Sequence, residues 1–187
     1  MRTESINIYK FDELPDSAKE NARQWWREGH EYFDFDECLE SLNEFLGLFG
    51  PVSVTDYSVG PYCHSYVTLS VKRHDTSFGY ADTEDDCLGL SGVRLWKWII
   101  NNTDLQQIIN SGHGLTGYWS DWPMLQIVQD FLKSPHNVTM AELLDDCAEA
   151  WLSQVVADME WQLEDEQVDE NIRANGYEFD ESGDFHF

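Results

Sequence analysis

The predicted fold of this chain is organised around a long helical pattern at residues 139–171, TMAELLDDCAEAWLSQVVADMEWQLEDEQVDEN. Its apolar residues recur every three or four positions, which is the spacing of an α-helix that packs one face against a core. The members of this apolar face are Leu144, Cys147, Trp151, Val155, Met159 and Leu163. Thr139 and Glu142 have the capping-box spacing that marks a helix start. An unbroken helix of this length would be roughly 50 Å long. Past Leu163 the apolar period fades, so the alternative is that the last turns project from the body or break into a second short helix.

The other positions of this predicted helix are crowded with acidic residues, and no Lys or Arg lies between them. The acids are Glu142, Asp145, Asp146, Glu149, Asp158, Glu160, Glu164, Asp165, Glu166, Asp169 and Glu170. B-form DNA carries one negative charge per roughly 1.7 Å of axis, so a long acidic helix is a coarse imitation of it. The alternative interpretation is a solvated acidic face that serves only solubility.

The composition also favours a binding role for the acidic residues, because 36 Asp and Glu against 11 Lys and Arg give a net charge of -25. Such a chain is repelled by nucleic acid and by anionic membranes, and it favours a basic protein partner. No signal peptide and no apolar run of about 18 residues is present, which predicts a soluble protein of the cytoplasm. The four cysteines form no CxxC pair and are expected to be free thiols.

The pattern along the chain predicts an α+β fold, in which a small antiparallel sheet packs with several helices and the long acidic C-terminal helix. Residues 1–187 are expected to form a single domain, with a flexible acidic loop over 76–92 and a C-terminal tail over 176–187. Strands are predicted over 5–11, 52–59 and 65–73, and helices over 35–49, 93–101, 103–110 and 122–133. A further helix ends at Gly29 and starts near Pro15, where Ser17 and Glu20 also have capping-box spacing.

Two phrases near the ends of the chain resemble a family of small phage and prophage proteins. Residues 9–29, YKFDELPDSAKENARQWWREG, resemble an opening phrase "FDELSxxAKxxA", and residues 166–183, EQVDENIRANGYEFDESG, resemble a closing phrase "IxANxYxFxxxG". The segment GLTGYWSDW, residues 114–122, is also similar, whereas SVGPYCHSYVTL, residues 58–69, replaces a Gly-rich segment. Some members are labelled antitoxin-like. The resemblance implies a phage origin and carries over no functional residue.

No pattern of residues predicts an enzyme, a metal site or a cofactor site. With 36 acidic residues, pairs of carboxylates arise by chance and carry no information. Cys63 and His64 are adjacent in a strand-like stretch, so they point to opposite faces, and the cysteines and histidines lack structural-zinc spacing. An enzyme with an unfamiliar fold is the third alternative considered.

The eight tryptophans exceed what one small core buries, so some are expected at an interface. Trp119 and Trp122 are the best candidates, against the alternative that they are partly buried. The predicted partner-binding residues are these two together with Glu142, Asp145, Asp146, Glu149, Asp158, Glu160, Glu164 and Asp165.

The predicted function is a phage-encoded anti-defence inhibitor of the anti-CRISPR or anti-restriction type, which acts in the cytoplasm of the host bacterium. Its partner would be a host defence protein or ribonucleoprotein complex, whose basic nucleic-acid-binding surface it occupies as a DNA mimic. The alternative is an antitoxin-like protein that neutralises a cognate basic toxin.

Overall fold

A computed structural model describes residues 7–32, 34–71, 87–111 and 114–186. The chain divides into two compact units: residues 1–32 with 158–187 form unit 1, and residues 33–157 form unit 2. Helices and small antiparallel sheets make up both units, so the predicted α+β class is confirmed. The acidic loop predicted over 76–92 lies outside the described residues up to position 86, and a 3₁₀ turn follows over Cys87–Gly89.

Unit 2 is a set of helices accompanied by one β-hairpin. Its helices are α2 (Phe35–Gly47), α3 (Gly92–Asn101), α4 (Thr103–Ser111), α5 (Asp121–Lys133) and most of α6 (Met140–Gln162). Its strands β2 (Val52–Ser58) and β3 (Tyr66–Val71) pair antiparallel, as the sequence predicts. The buried face of α6 is central to the core: the Trp151 side chain is fully buried, and its Nε1 donates a 2.9 Å hydrogen bond to the Cys38 carbonyl.

Unit 1 brings the two ends of the chain together. Strand β1 (Tyr9–Lys10) pairs with β4 (Glu178–Phe179), which pairs with β5 (Phe185–His186), so a three-stranded antiparallel sheet forms. A 3₁₀ turn (Phe11–Glu13) leads to helix α1 (Asp16–Gly29), and the second helix is α7 (Asp165–Asn175). The buried residues of its core are Phe11, Leu14, Ala18, Ala22, Val168, Ile172 and Phe179. The sequence predicts one small antiparallel sheet, whereas the structure contains two separate sheets among the described residues.

The prediction of one unbroken helix over 139–171 is wrong. Helix α6 ends at Gln162, and α7 begins at Asp165. Glu164 has extended backbone angles at the N-cap position of α7. The sequence Glu164-Asp165-Glu166 explains the break, because three consecutive acids are favourable at the positive N-terminus of a new helix and add nothing inside a continuing one. At 1.5 Å per residue α6 is roughly 35 Å long instead of 50 Å.

The two predicted capping boxes have different outcomes. At Thr139 the box is present: the Glu142 carboxylate accepts from the Thr139 N–H, and the Thr139 hydroxyl accepts from the Glu142 N–H. At Ser17 the prediction is wrong, because α1 starts one residue earlier at Asp16 with Pro15 as its N-cap. Proline fixes the backbone angle that a helix start needs, so it sets the boundary without a side-chain cap.

Candidate partner-binding surface

Four of the predicted partner-binding acids form one exposed row on α6, which we call the acidic stripe: Glu142, Asp145, Asp146 and Glu149. Their spacing of three to four residues places them on the side of α6 opposite its buried residues, such as Leu144 and Trp151. Among the residues that the structure describes, no Lys or Arg forms an ion pair with any of the four. The stripe is therefore a patch of negative charge without internal compensation.

The members of the acidic stripe are not equivalent. Glu142 is occupied as the cap of α6, and its hydrogen bonds from Thr139 lower the pKa of its carboxyl. Partial burial, followed by the repulsion of Asp146, Glu149 and Glu142, raises the pKa of Asp145. The stripe thus holds like charges close enough together to disfavour ionisation at one of them, and a cation placed there would relieve this repulsion.

A second row of exposed acids lies on α2, and the sequence analysis did not single it out. It consists of Asp36, Glu37, Glu40 and Glu44. Among the described residues none of these forms an ion pair. The sequence contains the pattern that predicts this row, because acids recur three to four positions apart on a helix whose other side is apolar. Both acidic rows belong to unit 2, so the unpaired charge of this unit exceeds what α6 alone supplies.

The other four predicted acids, Asp158, Glu160, Glu164 and Asp165, belong to unit 1. Asp158 accepts 2.8 Å hydrogen bonds from the Tyr32 hydroxyl and from Gln162. Asp165 is paired with both Arg23 and Arg27 of α1. Glu160 and Glu164 are exposed.

Asp165 is one member of a wider set of ion pairs in unit 1. Arg23 binds Asp169 through both carboxylate oxygens at 2.7 and 2.9 Å, and Arg173 binds Asp12 at 2.8 Å. The bond from Asp169 is the largest cause that raises the pKa of Arg23. The arginines of α1 and α7 thus hold their acids inside unit 1, which makes these acids poorer candidates for an outside partner than the acidic stripe.

The loop before α5 is built around the fully buried carboxylate of Asp121. Its Oδ2 accepts hydrogen bonds from the backbone N–H groups of Leu115, Thr116 and Gly117 at 2.7, 2.7 and 3.0 Å. Its Oδ1 accepts from the hydroxyls of Ser41 at 2.5 Å and Thr116 at 3.0 Å. These five hydrogen bonds satisfy a buried carboxylate that has no cationic partner among the described residues, so Asp121 is a structural anchor of the loop.

This anchor positions Trp119 and Trp122. Tyr118 and Trp119 precede Asp121 in a turn closed by the bonds from Asp121 N to Tyr118 O (3.1 Å) and from Trp122 N to Trp119 O (3.3 Å). Trp122 is 46% exposed, whereas Trp119 is half-buried. Both line an open groove of about 440 Å³ together with Pro123, Gln126 and Gln154.

Tyr118 lies next to these rings and contacts the start of α2. Burial, a hydrogen bond to Asp34 and the nearby charge of Glu37 raise the pKa of Tyr118 to about 12.

Within the described residues, no group of three or more His, Cys, Asp and Glu side chains is arranged to hold a metal ion. Cys63 and Cys147 are free thiols, and burial raises the pKa of the Cys147 thiol, which makes it unreactive. No described helix combines the length and the apolar character needed to cross a membrane.

Comparison with protein-family models, with curated proteins and with solved structures finds no match to this chain. The resemblance to phage and prophage proteins therefore stays a prediction, and the functional argument depends on the surface itself.

Proposed function

We propose that this protein acts by binding, and that its acidic stripe occupies a basic, nucleic-acid-binding surface of a partner protein. The observation that carries the proposal is the contrast between the two units. Unit 1 pairs Asp12, Asp165 and Asp169 with its own arginines. Among the described residues of unit 2, the only ion pair joins Lys133 to Asp130, and the acidic stripe has none. Asp145, Asp146 and Glu149 have no ion pair among the described residues, so an outside cation can bind them without breaking an internal salt bridge.

The break between α6 and α7 changes the form of the DNA-mimic hypothesis. The sequence AWLSQVVA, residues 150–157, carries no charge, so the acids do not continue evenly along α6. Glu142 to Glu149 span roughly 10 Å of helix axis. B-form DNA presents about six charges over that distance, against four on the acidic stripe. The proposed mimic is therefore a compact patch equivalent to a few phosphates, with the acidic row of α2 as further charge in the same unit.

The proposed setting is the cytoplasm of a bacterial host, where a phage-encoded inhibitor of the anti-CRISPR or anti-restriction type would block a defence complex from its nucleic acid. Support comes from the resemblance of residues 9–29 and 166–183 to phage proteins and from the net charge of -25. A basic toxin would be attracted by the same surface, so the antitoxin-like alternative differs in the partner and not in the chemistry.

The test is a capture experiment from bacterial lysate with a matched pair of charge-reversed proteins. The first variant carries Asp145→Lys, Asp146→Lys and Glu149→Lys, and leaves Glu142 in place because it caps α6. The control carries Glu31→Lys, Glu170→Lys and Glu181→Lys, which are exposed acids of unit 1. Both variants change the net charge equally.

A partner held by the stripe should be captured by the wild type and by the control at low salt, lost at high salt, and absent from the first variant. Equal capture by both variants would refute the role of the stripe. The identity of the captured protein, a nucleic-acid-binding defence complex or a toxin, separates the two proposed settings.

A further inference from the structure

Helix α3 exposes a set of side chains that we call the α3 face: Val93, Arg94, Lys97, Ile100 and Asn101. At about 100° per residue they cover an arc of roughly 120° around the helix axis, with Lys97 near its centre. The fully buried Leu95 and Ile99 lie on the opposite side of the helix. Residues 87–103 contain no Asp or Glu, so α3 supplies no acid to balance the two cations of its exposed face.

These two cations have no ionic partner within the described structure. Arg94 and Lys97 are exposed, and neither forms an ion pair with a described residue. The other described Lys and Arg side chains form ion pairs or, in the case of Lys19, lie over the ring of Phe11. At physiological salt the repulsion from distant acids is screened over about 8 Å, so the two cations can still attract a carboxylate at contact distance.

An open groove of about 340 Å³ adjoins the α3 face and adds hydrogen-bond donors to it. Its lining consists of Lys97, Trp98, Asn101 and Asn102, without an acid. The indole of Trp98 is held in place, because it stacks on Phe49 with ring centroids 5.9 Å apart. The side chains of Lys97, Trp98 and Asn101 donate no hydrogen bond to a described residue. Their N–H groups are therefore available to an acceptor-only group such as a carboxylate.

Two aliphatic side chains lie beside the cations on the same face. Val93 is 63% exposed and Ile100 is 36% exposed, and they are turned from one another by only about 20° around the helix axis. They are seven residues apart, which is the spacing of apolar anchors in helix recognition. A nucleic acid would supply anions to the cations but no aliphatic side chains to these two residues. The combination fits an acidic segment of a protein better.

We infer that the α3 face binds an acidic amphipathic segment of a partner protein. Its carboxylates would contact the two cations and the donors of the groove, and its aliphatic side chains would cover Val93 and Ile100. The face is formed before binding, because Leu95 is buried and Trp96 Nε1 donates a 3.2 Å hydrogen bond to the Leu132 carbonyl. Little conformational entropy is then lost on binding. The inference goes beyond the proposed function, because it uses none of the acids of the stripe.

The experiment uses the full chain, labelled with ¹⁵N, and three probes of equal charge at physiological salt. The first is the capped peptide EELLEELLEELLEE, the second is EEAAEEAAEEAAEE, and the third is an oligothymidylate. The leucine peptide should shift the backbone amide signals of residues 92–101 and bind roughly fivefold tighter than the alanine peptide, since only it covers the aliphatic pair. The oligothymidylate should leave these signals unshifted.

A matched pair of variants tests the role of charge. Arg94→Gln combined with Lys97→Gln should weaken the leucine peptide roughly fivefold, because two charge contacts at the surface are lost. The control, Lys19→Gln combined with Lys133→Gln, changes the net charge equally and should keep the affinity. Equal weakening by the two variants would overturn the inference, since the effect would then come from net charge alone.

A third variant tests the aliphatic contacts. Val93→Ser combined with Ile100→Ser should abolish the preference for the leucine peptide over the alanine peptide. A preference that survives this variant would overturn the inference, as would unshifted α3 signals at about 1 mM leucine peptide. An equal response to the oligothymidylate would assign the face to nucleic acid and overturn it too. So would a dimer in sedimentation that the Arg94→Gln, Lys97→Gln variant dissolves, because the face would then bind a second copy.

The outcome of this experiment is distinguishable from that of the proposed function. Capture of a partner through the acidic stripe is tested by reversal of Asp145, Asp146 and Glu149, none of which belongs to the α3 face. If the stripe captures no partner while the peptide shifts the α3 signals, this inference stands alone. If capture depends on the stripe while the α3 signals stay unshifted, the proposed function stands alone.

Discussion

The hydroxyl of Ser41 donates a 2.5 Å hydrogen bond to Oδ1 of Asp121, and both residues are fully buried. This bond joins α2 to the first residue of α5 across 80 positions of sequence. The opposite oxygen of the same carboxylate holds the backbone of residues 115–117. One charged side chain thus connects an acidic helix, the aromatic turn and the groove, which makes it the position where the fold most directly supports the proposed surface.

Ser41→Ala should lower the free energy of unfolding by about 1.5–3 kcal/mol, because it removes a hydrogen bond to a buried charge. Ser120→Ala is the matched control: Ser120 is equally buried, but its Oγ has no hydrogen-bond partner in the described structure. Its replacement should leave stability unchanged or slightly raised. Urea unfolding followed by tryptophan fluorescence measures both. Equal losses for the two serines would contradict the anchoring role of Asp121.

Two glycines of the same loop give a second matched pair. Gly114 and Gly117 both have positive φ, at +75° and +84°. A Cβ at Gly114 would lie 2.6 Å from Oδ2 of Asp121, whereas one at Gly117 meets nothing within 4 Å. Gly117→Ala should cost roughly 1 kcal/mol for the left-handed backbone alone. Gly114→Ala should cost clearly more, because it also displaces the buried carboxylate. Thermal unfolding of the two variants measures this difference. A larger drop in melting temperature for Gly117→Ala than for Gly114→Ala would contradict the close contact of Gly114 with Asp121.

In unit 1 the bidentate ion pair of Arg23 and Asp169 should contribute more to the free energy of unfolding than an exposed ion pair does. Their side chains are 19% and 14% exposed, whereas Lys133 and Asp130 are 68% and 59% exposed. Arg23→Lys keeps the charge but loses the two parallel bonds, and it should destabilise the protein by about 1 kcal/mol. Lys133→Gln should lower the unfolding midpoint much less than Arg23→Lys does. An Arg23→Lys protein as stable as the wild type would mean that the paired geometry does not hold α7 to α1.

Two aspartates of unit 2 should change the pH dependence of stability in opposite directions. Partial burial and then the neighbouring acids raise the pKa of Asp145, so its ionisation costs folding free energy. Asp145→Asn should therefore be more stable than the wild type at neutral pH. The difference should vanish as the pH falls below the ordinary aspartate pKa of about 4, where the wild-type carboxyl is also uncharged.

The pKa of Asp130 is shifted in the opposite direction, because the hydrogen bonds from Lys133 and then Gln126 lower it. Asp130→Asn should be less stable than the wild type at neutral pH, and the difference should disappear as the pH falls through the lowered pKa. Unfolding curves collected from pH 3 to pH 8 measure both variants. Parallel pH profiles for the two would show that the acidic stripe does not concentrate repulsion at Asp145.

The local patterns of the sequence predict most of the helices and the β-hairpin, since each depends on periodicity and on turn residues within a short window. The apolar face from Leu144 to Met159 is buried as predicted. Helix α6 ends where the apolar period fades near Leu163, the position at which the sequence leaves open a break into a second short helix. No Gly or Pro marks this boundary, and the acidic run Glu164-Asp165-Glu166 at the start of α7 is the signal that favours the break.

The candidate surface depended on relationships that span long sequence separations, and these could not be predicted. The arginines that pair with Asp165 and Asp169 lie about 140 positions away on α1. The burial of Asp121 follows from Ser41 on another helix, whereas by composition it is one acid among 36. Sequence therefore identifies which residues are acidic, and tertiary pairing determines which of them remain available to a partner.

In the proposed function the acidic stripe and nucleic acid compete for the same surface of the partner. The most direct measurement is displacement of labelled duplex DNA from the captured partner by the wild type and by the Asp145→Lys, Asp146→Lys, Glu149→Lys variant. We expect complete displacement by the wild type and at least ~100-fold weaker displacement by the variant, because each reversed charge turns an attraction into a repulsion. A stable complex of the partner with both DNA and this protein, or equal displacement by the two proteins, would contradict it.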